Sequence, residues 1–226
     1  MWGAVGVVIV LGFGWKLYRN YSQVLERKES DRQHLFVNAL AIIENISFEQ
    51  QGPQEFPRLS GSHKGFPVQV KPVVDTLPTR RLPALWLLVT VQSPLALKAR
   101  FDMMMRPAGP TTFSNFDLLP HTLKHPAGFP EHAVIRTDNA DDVLPAEIIR
   151  PHIAPFFGPH AKELLITENG VRMVWLLAEA DRARYGIFRQ AEFGDVEIDA
   201  KVLRDILDNL LEIRQAVIGW TGEKDE

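Results

Sequence analysis

Residues 163–177 read ELLITENGVRMVWLL, and the fold turns on how this stretch is taken. Two apolar runs, 163–167 and 171–177, flank Glu168-Asn169-Gly170. Asn-Gly between apolar runs is the strongest short hairpin signal, because both residues accept positive φ. The stretch therefore predicts an antiparallel hairpin. Residues 57–74 predict a second: in Phe66-Pro67-Val68-Gln69-Val70-Lys71 apolar residues alternate with others, and Gly61 and Gly65 bracket a turn. The two share a layout but no residue-level repeat.

Between them, residues 84–91 (ALWLLVTV) are apolar on both faces and rich in strand formers, which suits a central, doubly covered strand. Leu97, Ala99, Phe101, Met103 and Met105 alternate with Lys98, Arg100 and Asp102, giving a strand with one wet face and Met104 outside the core. Residues 106–130 are broken by five prolines, with room for a short helix at 114–124. Residues 132–137 and 185–190 read as strands, and 144–157 as a helix interrupted by Pro151 and Pro155. Near the end, Asp195 or Asp199 can cap a long helix whose apolar stripe is Val202, Leu203, Ile206, Leu207, Leu210, Leu211, Ile213 and Val217. The expected fold class is α+β: a mainly antiparallel sheet of about seven or eight strands with a long packed C-terminal helix. The alternative is a strand meander curled into a small barrel plugged by that helix.

The first twenty-one residues, MWGAVGVVIVLGFGWKLYRNY, raise a separate question. A secretion signal wants a basic start and a small-x-small cleavage site, and neither is present. Residues 1–15 have no polar face, which suits lipid better than the edge of a small domain. Residues 1–18 as a helix would extend about 27 Å, short for a span but workable with snorkelling. The expectation is a single transmembrane helix built on Trp2, Val7, Val8, Ile9, Val10, Leu11, Phe13 and Trp15, in contact with membrane lipid. Lys16, Arg19, Arg27 and Lys28 follow it as juxtamembrane basic residues, which would keep the C-terminal domain cytoplasmic.

Leu25, Lys28, Arg32, Leu35, Ala39, Ile42 and Ile46 recur at helical spacing, so residues 22–50 read as a helical stalk, one that packs on the domain or on a second copy in a homodimer. The division is then 1–21 anchor, 22–50 stalk, 54–222 α+β domain and 223–226 tail.

Composition narrows the function classes. A net charge of −3 gives no electrostatic case for nucleic acid. Zero cysteines remove disulfides, thiolate zinc sites and cysteine nucleophiles. No GxSxG elbow and no GxxxxGK[ST] loop occurs. His121 and His125 have the i,i+4 spacing of a helical metal pair, with Asp117, Glu131, His132 and Asp138 as local third ligands, but Pro126 follows at once and the HExxH pattern is absent. Asp138-Asn139-Ala140-Asp141-Asp142 lacks the Gly and Glu of a calcium loop and reads as a turn. Thr79-Arg80-Arg81 and Arg182-Ala183-Arg184 are short basic pairs. No catalytic, cofactor or metal residue is assigned. The sequence thus predicts a single-pass membrane protein whose domain is an interaction or accessory module for a protein partner at the membrane, more a binder than an enzyme. The alternative is a membrane-associated hydrolase or metal-dependent enzyme using residues 121–160.

Overall fold

The computed structural model describes residues 34–50, 52, 55–77, 82–182, 185, 191 and 193–224. The strands are β1 (Glu44–Glu49), β2 (Arg58–His63), β3 (Phe66–Asp75), β4 (Ala84–Gln92), β5 (Phe101–Met105), β6 (His121–Thr122), β7 (Ala133–Thr137), β8 (Ala161–Thr167) and β9 (Gly170–Glu179). They form one sheet in the order β1-β2-β3-β4-β9-β8-β5-β7-β6, in which neighbouring strands are antiparallel. The sheet is open, with β1 and β6 at its edges, so the closed-barrel alternative is set aside. Among the described residues the sheet is accompanied by helices α1 (Ala146–Ile149) and α2 (Ala200–Lys224) and by short 3-10 turns.

Both expected hairpins form. In β8–β9, Thr167 pairs with Gly170. The turn differs from the Asn-Gly expectation, since Gly170 has φ 141° but Asn169 is not among the positive-φ residues. What demands glycine at 170 is crowding from β4: a Cβ there would stand 2.2 Å from the Val91 carbonyl oxygen. In β2–β3 the turn is Lys64-Gly65, both at positive φ, while Gly61 lies inside β2.

The register lines up one apolar row across the sheet: Phe48, Leu59, Val70, Val89, Met173, Leu164, Met103 and Ile135. From Leu59 to Ile135 each is at most 2% exposed. Helix α2 covers this face, burying Leu203, Ile206, Leu207, Leu210, Ile213 and Val217 in the same core. Asp199 caps it, its Oδ1 accepting from the Val202 N–H at 2.8 Å. Polar contacts fix its seat. His63 Nε2 and Lys64 Nζ, at the β2–β3 turn, each lie 2.8 Å from Asp208 Oδ1. Arg214 Nε donates to Ser93 Oγ at 2.8 Å, and its guanidinium stands 4.4 Å from the centroid of the Phe66 ring.

Several expectations need correction. Residues 34–50 do not form a helical stalk: one 3-10 turn (Ala39–Ala41) leads into β1. Leu35, Phe36, Ala39, Ile42 and Ile43 are buried in the domain core, so the apolar stretch does pack on the domain, but as a bend and a strand. Ile42, Ile43 and Ile46 are β-branched and favour the extended form, and Asn45 takes φ 52° at a bulge. No helix among the described residues is long and apolar enough to cross a membrane. The expected transmembrane anchor at 1–21, with its basic flank, lies outside the described residues, and the single-pass membrane localisation and C-terminal cytoplasmic placement drawn from it are withdrawn.

Met104 is buried like its neighbours, because residues 106–120 cover its face. In place of a helix at 114–124 there is one 3-10 turn (Phe116–Leu118) followed by β6. The interrupted helix is α1 plus two 3-10 turns that begin near Pro151 and Pro155. The strand expected at 185–190 falls largely outside the described residues.

Two glycine substitutions test this packing. Gly170→Ala should lower stability by more than about 1 kcal/mol, because the clash is with backbone. Gly219→Ala, on the exposed side of α2 with open space around it, should raise stability by up to about 1 kcal/mol. Denaturant midpoints of the two variants against the parent chain decide it.

Candidate functional site

The opposite face of the sheet carries a row of different chemistry: Ser47, Ser60, Gln69, Thr90, Arg172, Leu165, Asp102, Arg136 and Thr122. The adjacent row on this face runs Leu88, Val174, Glu163, Met104 and Val134. Residues 106–120 roof part of this surface. Phe113 and Phe116 pack on Leu88, Met104 and Val174, and the Phe113 ring lies tilted against Trp86 at 5.3 Å. The unroofed part holds a hollow of about 130 Å³ lined by Gln69, Thr90, Leu165, Thr167 and Arg172 among others. Thr90 Oγ1 accepts from Arg172 Nε at 3.1 Å, which fixes the guanidinium on the strand face.

Beneath the roof, β5 and β8 bring Asp102 and Glu163 together, 2% and 1% exposed. The two carboxyl groups lie close enough to perturb each other's ionisation. Two carboxylates offer only acceptors, so a hydrogen bond between them needs a proton on one of them. Without that proton, Asp102 Oδ1 and Glu163 Oε2 would each be buried with no donor. Burial pushes both carboxyls up, and the Glu163 charge adds to the effect at Asp102, which reaches about 9. Glu163 stops at about 7, because the Ser114 hydroxyl and Arg172 favour its charged form. Burial thus favours at least one protonated carboxyl in the pair.

Ser114 connects the pair to the roof. Its hydroxyl donates to Glu163 Oε1 and accepts from the Phe116 N–H at 3.1 Å. Arg136, opposite Asp102 in the register, donates from Nη1 to the carbonyls of Phe116 and Asp117 at 3.4 and 3.1 Å. Its guanidinium also stands 5.3 Å from the centroid of the Phe116 ring. Thr112 closes the near end on Asp75 Oδ1 and the Val74 carbonyl, each at 3.3 Å. The acid pair is sealed, so its chemistry here is to clasp the roof.

Sequence reasoning missed this pair by giving Asp102 to a wet face. One signal was available: Met104 and Leu165 flank the two acids at i,i+2, too apolar for a strand face in water. The histidine candidates do not converge. His121 sits exposed in β6, while His125 Nδ1 lies 3.2 Å from the Ala133 carbonyl. Asp117, Glu131 and His132 are exposed, and Asp138 binds the Arg100 N–H at 2.8 Å. Among the described residues no group of three or more His, Cys, Asp or Glu is placed to hold a metal. Residues 138–142 form a turn in which Asn139 Oδ1 accepts from the Asp141 N–H at 3.1 Å. Trp2, Val7, Val8, Ile9, Val10, Leu11, Phe13, Trp15, Lys16, Arg19, Arg27 and Lys28 lie outside the described residues, as do Thr79-Arg80-Arg81.

No known protein family matches the chain, and no curated protein matches it. Among solved structures it is similar to the crystal structure of the mycobacterial trehalose monomycolate transport factor A, TtfA. The TM-score is 0.40 and the identity 12%, over 83% of this chain and 94% of that one. At that distance neither fold family nor function carries over.

The acid pair makes stability depend on pH with a definite sign. Both carboxyls bind a proton more tightly folded than unfolded, so their contribution is complete below about pH 4. It is lost as pH rises through the folded values of about 7 and 9. Asp102→Asn keeps a donor facing Glu163 and removes one acid. The fall in denaturant midpoint between pH 5 and 9 should therefore be smaller in the variant than in the parent chain, and equal falls would show that the pair does not share a proton.

Proposed function

We propose that this domain is a non-catalytic accessory module that works by binding another protein. The observation that carries the reading is the distribution of exposed apolar side chains. Among the described residues six large ones are exposed: Val37, Leu40, Phe48, Leu77, Leu118 and Phe157. Three of these fall within the twelve positions from Val37 to Phe48, at the β1 edge of the sheet. Phe48 is joined to the preceding bend by an edge-to-face contact with Phe36, centroids 5.5 Å apart. Single exposed apolar residues need no explanation, but several gathered beside an edge strand mark a contact surface.

The reading is tested by the double variant Val37→Ser, Leu40→Ser. Both positions are about half exposed, so thermal stability should stay within a few degrees of the parent chain. Recovery of a cross-linked protein partner from cells producing the full chain should fall at least tenfold. Unchanged recovery of the same partner would overturn the assignment of this surface.

A further inference from the structure

We infer that β1 is an acceptor edge for one extended segment of a different protein, apolar where it lies beside Phe48 and basic beside Glu44 and Glu49. This rests on the binding reading above and names the partner's chemistry. The two edges of the sheet are not equivalent: β6 has two residues and β1 has six, five of them exposed. Among the described residues no strand lies beyond β1, and an edge in that position presents a row of backbone donors and acceptors, the template on which peptides add to a sheet.

The register says what such a segment would meet. The apolar row on the helix face runs with at most 2% exposure until it reaches β1, where Phe48 is 45% exposed. A ninth apolar residue, contributed from outside, would continue the row and cover that ring. On the other face the β1 residues in the regular ladder are Ser47 and Glu49, so selectivity there is polar.

Charge argues against a second copy in that place. The antiparallel self-pairing that uses the whole strand sets Glu44 opposite Glu49 at both ends, and an in-register parallel pairing sets each glutamate opposite itself. Like charges directly opposite are destabilising. Arg58 of β2 already partners Glu49, and Glu44 has no ion pair among the described residues. A partner strand with Lys or Arg at its ends finds Glu44 open to an ion pair and joins Arg58 around Glu49. The bulge between Glu44 and Ser47 leaves Ser47–Glu49 as the regular part, so the added strand is short.

The probes are blocked seven-residue peptides of alternating valine and threonine, one ended by lysines (KVTVTVK) and one by glutamates (EVTVTVE). Amide shifts and exchange rates of the full chain are read by NMR. The lysine-ended peptide should perturb and protect the amides of β1 and bind at least tenfold more tightly than the glutamate-ended one. N-methylation of its alternate amides should abolish binding, and Glu44→Lys should reduce the preference. Strand addition is overturned if neither peptide binds at millimolar concentration, or if both bind equally. It is also overturned if sedimentation shows a dimer of the chain that Phe48→Glu dissociates. Should the double serine variant lose its partner while the peptides fail to bind, strand addition falls and the binding surface stands. Should the variant keep its partner, the surface assignment itself falls.

Discussion

Gly170 occupies the seam on which the sheet depends. Strands β1 to β4 come from residues 44–92 and strands β5 to β9 from 101–179, and among the described strands the two sets pair where β4 lies beside β9. At the start of β9 the backbones come so close that a single added carbon would lie 2.2 Å from the Val91 carbonyl. The register set there extends outward on both sides. A shift of one residue would turn the apolar row toward the open face and put Arg172 and Asp102 under α2, so the core and the polar face share one constraint.

The two faces are closed by unlike means. Helix α2 covers its side with an apolar stripe, and polar contacts from His63, Lys64 and Ser93 hold it in position. The roof of residues 106–120 has little apolar area, chiefly Phe113 and Phe116, and is instead held by Ser114, Arg136 and Thr112. Hydrogen bonds from Ser114 are useful only where the acceptor is fixed and short of donors. Glu163 meets both conditions because burial and Asp102 leave it few alternatives. The buried acids, costly in isolation, thus set where the roof lies.

Much of this was legible wherever the signal was local. Asn169-Gly170 marked the hairpin, the alternation around Val68 marked β3, and the apolar stripe with Asp199 marked α2 to within a residue of its start. What failed depended on partners distant in sequence. Asp102 and Glu163 are sixty-one positions apart, and nothing near either one says that β5 and β8 are neighbours. Residues 35–46 carry helical spacing, yet three β-branched isoleucines and the left-handed Asn45 direct them into a bend and an edge strand. Edge position is itself invisible in a sequence, because it belongs to the order of the whole sheet.

That order explains the contrast between the two ends. An open sheet must prevent its edges from pairing at random, and shortening the strand is one solution, used at β6. At β1 the strand keeps six residues and an exposed Phe48, protected by a bulge and by a glutamate at each end. Shortening excludes every partner alike, whereas like charge excludes a copy of the same strand and admits one of opposite sign. The asymmetry is what a selectively open edge requires: backbone groups free to pair, an apolar row left unfinished, and acids that repel self-association.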